Sequence, residues 1–142
     1  MIGDKIIAEA LTWVGTPFHH GAGVKGHGCD CAHLISGVLE ALSLIPPVIY
    51  PVYGRDWFRH ADHEEEYIVE TLRALGLKEV QDPERGDIAC VYFGRAYSHC
   101  VFLCGDGTGI QSWPTHQTVS RVRLKEERLW KNSKKLYFRV ME

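Results

Sequence analysis

No stretch of about eighteen apolar residues occurs in this chain, so the sequence offers no candidate membrane-spanning helix. An excess of one charge is missing too. Sixteen Lys and Arg against eighteen Asp and Glu leave a formal net charge of −2, which favours neither a nucleic-acid partner nor an anionic membrane surface. Internal repeats, low-complexity tracts and obvious linkers are absent. The 142 residues, 45% apolar and 24% charged, read as a single domain, 1–142, around one core. Met1-Ile2-Gly3-Asp4-Lys5 lacks the basic start and long apolar region of a secretory signal. The expectation is therefore synthesis in the cytoplasm, with reduced thiols. Five cysteines, an odd number, leave at least one outside any intramolecular disulfide.

What is present is concentrated in Gly28-Cys29-Asp30-Cys31-Ala32-His33-Leu34. Leu34, Ile35, Val38, Leu39 and Leu42 then recur at the spacing of one helical face. Asp30 is a strong N-cap type, because its carboxylate accepts from the free N–H groups of the first turn. Cys31 falls in that turn, at the positive end of the helix dipole, a bias worth roughly 0.3–1 kcal/mol. The bias lowers a thiol pKa and makes the sulfur a nucleophile. His27, Cys29, Cys31 and His33 also alternate, as zinc ligands on one strand face would. Side chains so spaced stand roughly 6–7 Å apart, and zinc with bonds of about 2.0–2.3 Å gathers its ligands far closer. The usual pairing of cysteines about two to four residues apart is also missing, so the expectation is no metal and no cofactor.

Ile6, Ile7, Ala10, Leu11 and Val14 share one helical face, and Gly15 and Pro17 end that first helix. Thr16 to Gly28 is a glycine-rich loop carrying His19, His20 and His27, read either as a backbone cradle for a ligand or as a plain surface loop. The Cys31 helix ends near Ser43, and Pro46, Pro47 and Pro51 forbid regular structure through Tyr53. Asp56-Trp57-Phe58 reads as packing. A third helix is expected from His63 to Leu75, with Asp62 and Glu65 as a capping box, Glu64, Glu65 and Glu66 as its solvated first turn, and Gly76 as its stop. From Gly86 the period changes. Strands are expected at Ile88 to Phe93, His99 to Cys104, Ile110 to Trp113, Thr118 to Val122 and Leu136 to Val140, with a helical turn near Glu126 to Lys131. Helices first and short strands afterwards mean α+β with an antiparallel sheet.

Thiol catalysis needs a thiolate, a base and a group that orients the base. Cys31 supplies the first. His99 begins a strand whose inward face would be His99, Val101 and Leu103, and it is the candidate base. Gln111, after the turn Gly105-Asp106-Gly107-Thr108-Gly109, is placed to hold its ring across a hairpin. Eight histidines allow many chance pairs, so spacing alone leaves this assignment open.

The chain resembles the NlpC-type cell-wall cysteine peptidases, which are papain-like enzymes. The residues that carry the resemblance are Gly15-Thr16-Pro17-Phe18, the glycine-rich loop, Asp30-Cys31-Ala32-His33-Leu34, Arg85-Gly86-Asp87, Ser98-His99-Cys100-Val101-Phe102, Gly105-Asp106-Gly107 and Ile110-Gln111-Ser112. Gly28-Cys29-Asp30-Cys31 and the connector at Asp56-Trp57 look most like the phage or prophage tail branch. The resemblance implies a papain-like α+β fold, N-terminal helices packed on a roughly five-stranded antiparallel sheet. It implies hydrolysis of an amide bond in peptidoglycan stem peptides, the γ-D-glutamyl–diamino-acid bond. Cys31 aligns with the nucleophile, His99 with the base, and Gln111 with the third catalytic position, for which His116 is the alternative. Asp30, Ser98 and His20 are the implied substrate contacts. Phe18 stands where the family has a tyrosine, and Ala32-His33 replaces Ser-Gly. Phage tail proteins are implied partners, with delivery by a virion or release at lysis. The rivals are another thiol amidase or acyltransferase on the same fold, and a non-catalytic tail component with a decayed site.

Overall fold

The computed structural model describes residues 1–50 and 67–142. Helical periodicity becomes helix where it was strongest. α1 (Ile2–Leu11) buries Ile6, Ile7 and Ala10, and α2 (Cys31–Ala41) buries Leu34, Ile35, Val38 and Leu39. α1 stops short of Gly15 because its last turn is captured by side chains. The Thr12 hydroxyl donates to Glu9 O at 2.6 Å, and Trp13 Nε1 donates to Glu9 Oε2 at 3.0 Å. The Trp13 ring then lies over Gly37 of α2, where a Cβ would sit 2.5 Å away. The glycine-rich loop is more ordered than expected: β1 (Gly23–Val24) and β2 (Gly28–Cys29) pair as an antiparallel ribbon.

α3 (Ile68–Ala74) is the described part of the third helix. Its expected start at His63, the Asp62 and Glu65 capping box, the three glutamates, Pro51 and Asp56-Trp57-Phe58 lie outside the described residues. The remaining strands are β3 (Lys78–Val80), β4 (Ile88–Phe93), β5 (Ala96–Leu103), β6 (Thr108–Ser112), β7 (Val119–Arg123) and β8 (Lys135–Arg139). They form one antiparallel sheet in the order β3-β8-β4-β5-β6-β7. The sheet thus has six strands where about five were expected. β3 escaped the sequence because it is a three-residue, largely exposed edge with no apolar alternation to read. The expected turn near Glu126 divides into a 3-10 turn at Leu124–Glu126 and α4 (Arg128–Asn132).

Both sheet faces are covered, which corrects the expected inward face of β5. The helices pack on the side of Cys90, Cys100, Phe102 and Phe138. Val101 and Leu103 point the other way, into a smaller core with Ala89, Val91 and Leu124. His99 to Cys104 is apolar at nearly every position, so alternation could not select a face. Among the described residues no helix is long and apolar enough to cross a membrane.

The segment Gly15 to Phe18 stitches the loop to the sheet. Gly15 N–H donates to Val119 O, Val119 N–H to Thr16 O, and Phe18 N–H to Gln117 O, at 2.8–2.9 Å. Cys29 N–H donates to Pro17 O at 3.0 Å. The start of α2 is thereby fixed against the sheet before any catalytic side chain is considered.

Candidate active site

Asp30 caps α2 as its residue type demands. Its Oδ1 accepts from His33 N–H at 3.0 Å and lies 2.7 Å from His33 Nδ1, and its Oδ2 accepts from Gly21 N–H at 2.9 Å. One carboxylate therefore holds both the helix start and the loop before it. Ser112 Oγ donates to Cys29 O at 2.8 Å and ties the same point to the end of β6. Cys31 then sits at the mouth of the fold, with Sγ 3.6 Å from Ser98 O on β5.

The β5–β6 ladder pairs Phe102 with Ile110 and Leu103 with Gly109, and goes no further. Continued, that register sets Gln111 opposite Val101, on the face His99 shares and diagonal to it. The side chains close the diagonal: His99 Nε2 and Gln111 Oε1 are 2.8 Å apart. Both residues are buried, at 2% and 4% exposure. His99 Nδ1 is buried and has no hydrogen-bond partner among the described residues. The Trp113 ring lies 4.5 Å from the His99 ring, tilted by 55°. It shields the His99–Gln111 bond from water, where such a bond is electrostatically stronger.

The Cys31 thiol is lowered to about 5, first by the neighbouring Cys100 thiol and then by His99, against an opposing push from burial. Cys100 is raised well above an ordinary thiol by its neighbours Cys31 and Cys90 and by burial, so it is the donor of the pair. Cys90 stands directly opposite Cys100 in the β4–β5 ladder. Cys29, fully buried, is pushed up to about 11 by burial. The described cysteines are all free thiols. One thiol of the five is thus electrostatically singled out.

Cys31 opens into a cavity of about 290 Å³ whose wall includes Phe18, His20, Asp30, Ser98, Tyr50 and Trp113. Tyr50 donates its hydroxyl to Ala32 O at 3.2 Å, and burial pushes its pKa up. A second cavity, about 570 Å³, lies along the opposite side of His99 and Gln111, lined also by His116, Glu127 and Trp130.

No protein-family model and no curated protein matches the chain. Solved structures do. The peptidoglycan hydrolase RipB of Mycobacterium tuberculosis superposes with a TM-score of 0.63 at 16% identity, over 99% of this chain and 65% of that one. The NlpC/p60 domain of the peptidoglycan hydrolase SagA gives 0.60 at 18% identity, over 94% and 96%. RipD of M. tuberculosis, described as a non-catalytic NlpC/p60 domain protein adapted to peptidoglycan binding, gives 0.60 at 16% identity, over 99% and 98%. The fold is that of the NlpC/p60 domains. This chain spans just under two thirds of RipB.

Within the NlpC/p60 fold the expected residues separate into groups. Cys31, His99 and Gln111 come together. Asp30, Ser98 and His20 line the Cys31 cavity. His116, the alternative third residue, does not reach His99; its Nε2 lies 2.8 Å from Glu127 Oε1. Three participants were missed. Cys100 was read only as a buried strand residue. Trp113 was read only as the end of a strand, although an aromatic two residues after Gln111 shares its face. Glu127 sits outside every motif, in a turn far along the chain, and no sequence signal marks it. Among the described residues no group of three or more His, Cys, Asp or Glu is arranged to hold a metal ion.

Proposed function

We propose that this protein is an NlpC-type cysteine peptidase that hydrolyses the γ-D-glutamyl–diamino-acid amide bond of peptidoglycan stem peptides. One observation carries the reading: a thiol lowered to about 5 faces a buried histidine, and that histidine is held from its far side by Gln111. A decayed site has no reason to keep all three in contact, which favours catalysis over binding alone. The likeness to peptidoglycan hydrolases supports the choice of substrate, and the phage-tail setting rests on the sequence resemblance.

The Cys31 thiolate attacks the amide carbonyl carbon, and the carbonyl oxygen takes the negative charge. The Cys31 backbone N–H, at the start of α2, faces that developing charge as one oxyanion donor. Protonated His99 gives its Nδ1 proton to the leaving nitrogen, the C–N bond breaks, and a thioester remains. His99 Nδ1 then takes a proton from water, whose oxygen attacks the thioester, and the Cys31 thiolate leaves. Nε2 stays bonded to Gln111 throughout. Trp113 and the buried strands keep bulk water from that bond.

Zymography on purified peptidoglycan, with mass spectrometry of the released fragments, tests the reading. The expected result is a cleared band, fragments ending at D-glutamate, and loss of both with Cys31→Ala. Transfer of the stem to an added amine in preference to water would make the protein an acyltransferase. Binding without cleavage would make it a wall-binding module.

The third position has its own test. Gln111→Ala is expected to lower turnover about ten- to a hundredfold while leaving a residue of activity, since an orienting group contributes less than a nucleophile. Gln111→His keeps an acceptor at the same point and is expected to restore most of the rate. His116→Ala is expected to cost less than Gln111→Ala; the reverse order in a kcat comparison would move the third role to His116.

A further inference from the structure

The Gln111 side chain is held at both ends, and the far end is not explained by the reaction. Its Nε2 donates to Glu127 Oε1 at 2.9 Å, and His116 Nε2 lies 2.8 Å from the same oxygen. Glu127 stands just before α4, across the second cavity from β5, and is partly buried. An amide side chain presents either an oxygen or an NH₂ group to a neighbour, and the two orientations have nearly the same shape. An imidazole is equally ambiguous, since either ring nitrogen carries the proton in the neutral form. Gln111 and His99 facing each other alone would leave two self-consistent arrangements. In one, His99 Nε2–H donates to the Gln111 oxygen and Nδ1 is free to act as base. In the other, Gln111 donates to Nε2, the proton sits on Nδ1, and the nitrogen nearest Cys31 has no lone pair.

We propose that Glu127 is a positioning residue that selects the first arrangement: by accepting from the Gln111 NH₂ group it turns the Gln111 oxygen toward His99 and fixes the Nε2–H tautomer. A carboxylate only accepts, so a flipped Gln111 would point its oxygen at Glu127 and leave acceptor against acceptor in a buried site. The remaining nitrogen, Nδ1, is the buried side-chain atom found without a hydrogen-bond partner among the described residues. Its open lone pair on the ring edge opposite the Gln111 bond is what the base that takes a proton from water in the second half of the reaction requires. His116 steadies Glu127, which gives it a place in the chain of contacts one link beyond the position the sequence allowed for it. The consequence of losing the lock is a wrong tautomer, a defect that leaves geometry intact and impairs proton transfer.

The proposal rests on the peptidase reading for its catalytic meaning, and its first test needs no substrate. In the Cys31→Ala protein, labelled with ¹⁵N at histidine, long-range ¹H–¹⁵N spectra followed to alkaline pH report the tautomer of His99. The expected spectrum is the Nε2–H tautomer alone. Adding Glu127→Ala should give a mixture or the Nδ1–H form. Glu127→Met, which keeps the stem and removes the acceptor, should do the same if the alanine variant folds poorly. In the otherwise wild-type protein, Glu127→Ala should lower kcat on a γ-D-glutamyl–diamino-acid stem peptide about ten- to a hundredfold with KM little changed, and should add nothing in a Gln111→Ala background. An Nδ1–H form with Glu127 intact, an unchanged tautomer in both variants, or a full additive loss on top of Gln111→Ala would overturn the assignment. Failure of the protein to cleave any stem peptide, with the tautomer responding as expected, would count against the peptidase reading and leave the role of Glu127 standing.

Discussion

Limiting iodoacetamide at about pH 6 is expected to label Cys31 ahead of the other thiols and to abolish activity one-for-one. With its pKa near 5, Cys31 is about nine-tenths thiolate at that pH, whereas an ordinary thiol near 8.5 is about 0.3% ionised. A low-pKa thiolate is also a weaker nucleophile. A Brønsted slope of about 0.4–0.5 over that difference removes roughly 40-fold of the roughly 300-fold advantage. The net gain over an ordinary exposed thiol is about tenfold, so ionisation alone does not make the labelling exclusive. Burial supplies the rest. Cys29, Cys90, Cys100 and Cys104 are all buried, at 0–1% exposure, and Cys31 alone of the five reaches the surface. Against Cys29, raised to about 11, the same arithmetic leaves roughly a hundredfold or more before access is counted. The pH profile is the sharper readout. Cys31 labelling should hold a plateau from about pH 6 upward and fall below about 5, where the thiolate is protonated. His99→Ala should move that inflection up by about one to three units, the usual effect of removing an opposite charge. Cys29→Ser should leave it in place. Peptide mapping that finds Cys29 labelled first, or an inflection near 8.5, would remove Cys31 from the nucleophile's role.

Arg139→Ala should be the most destabilising single change outside the hydrophobic core. Asp87 is 2% exposed, and its two oxygens accept from Arg139 Nε at 2.9 Å and Arg139 Nη2 at 2.8 Å. Glu84 N–H donates to the same carboxylate at 2.7 Å. Bidentate arginine pairing of a buried carboxylate is the strong form of the interaction. Removing the arginine strands a buried charge, for which about 3–5 kcal/mol is usual. Arg139 is partly exposed and the Glu84 bond remains, so about 3 kcal/mol is expected, or roughly 10 °C in Tm for a domain of this size. The double variant Asp87→Ala with Arg139→Ala should lose less than the two single losses combined, because neither partner is then left alone. A single Arg139→Ala loss below about 0.5 kcal/mol in urea unfolding would show the pair to be a surface contact. This pair also gives a physical account of Arg85-Gly86-Asp87. Gly86 has φ +92 and lies so close to Gly3 that a Cβ would meet its Cα at 2.4 Å. Arg85 reaches back to Asp4 at 2.8 Å and to Cys104 O at 2.7 Å. The three residues lock α1, the sheet and the chain's last strand together.

Local chemistry was legible from the chain alone. The helical periods of α1 and α2, Asp30 as the cap, Cys31 in the first turn and the strand-like runs from Ile88 onward all follow from nearest-neighbour rules, which depend on residues a few positions apart. The pairing of Cys31 with His99 and Gln111 was legible only as a shared order of motifs, since residues 68 and 80 positions from the nucleophile have no local signal. What tertiary structure decided is everything set by two segments meeting. It chose which face of β5 meets the helices, because a run apolar at nearly every position carries no alternation. It brought Cys100 to the thiolate, because α2 is seated on β5 by a loop whose bonds run to β7. And it set Glu127 behind Gln111, because the chain after β7 folds back across the sheet face that His99 shares. Which nitrogen of His99 faces the thiol is a property of that contact alone, since the ring itself has no preference strong enough to decide it.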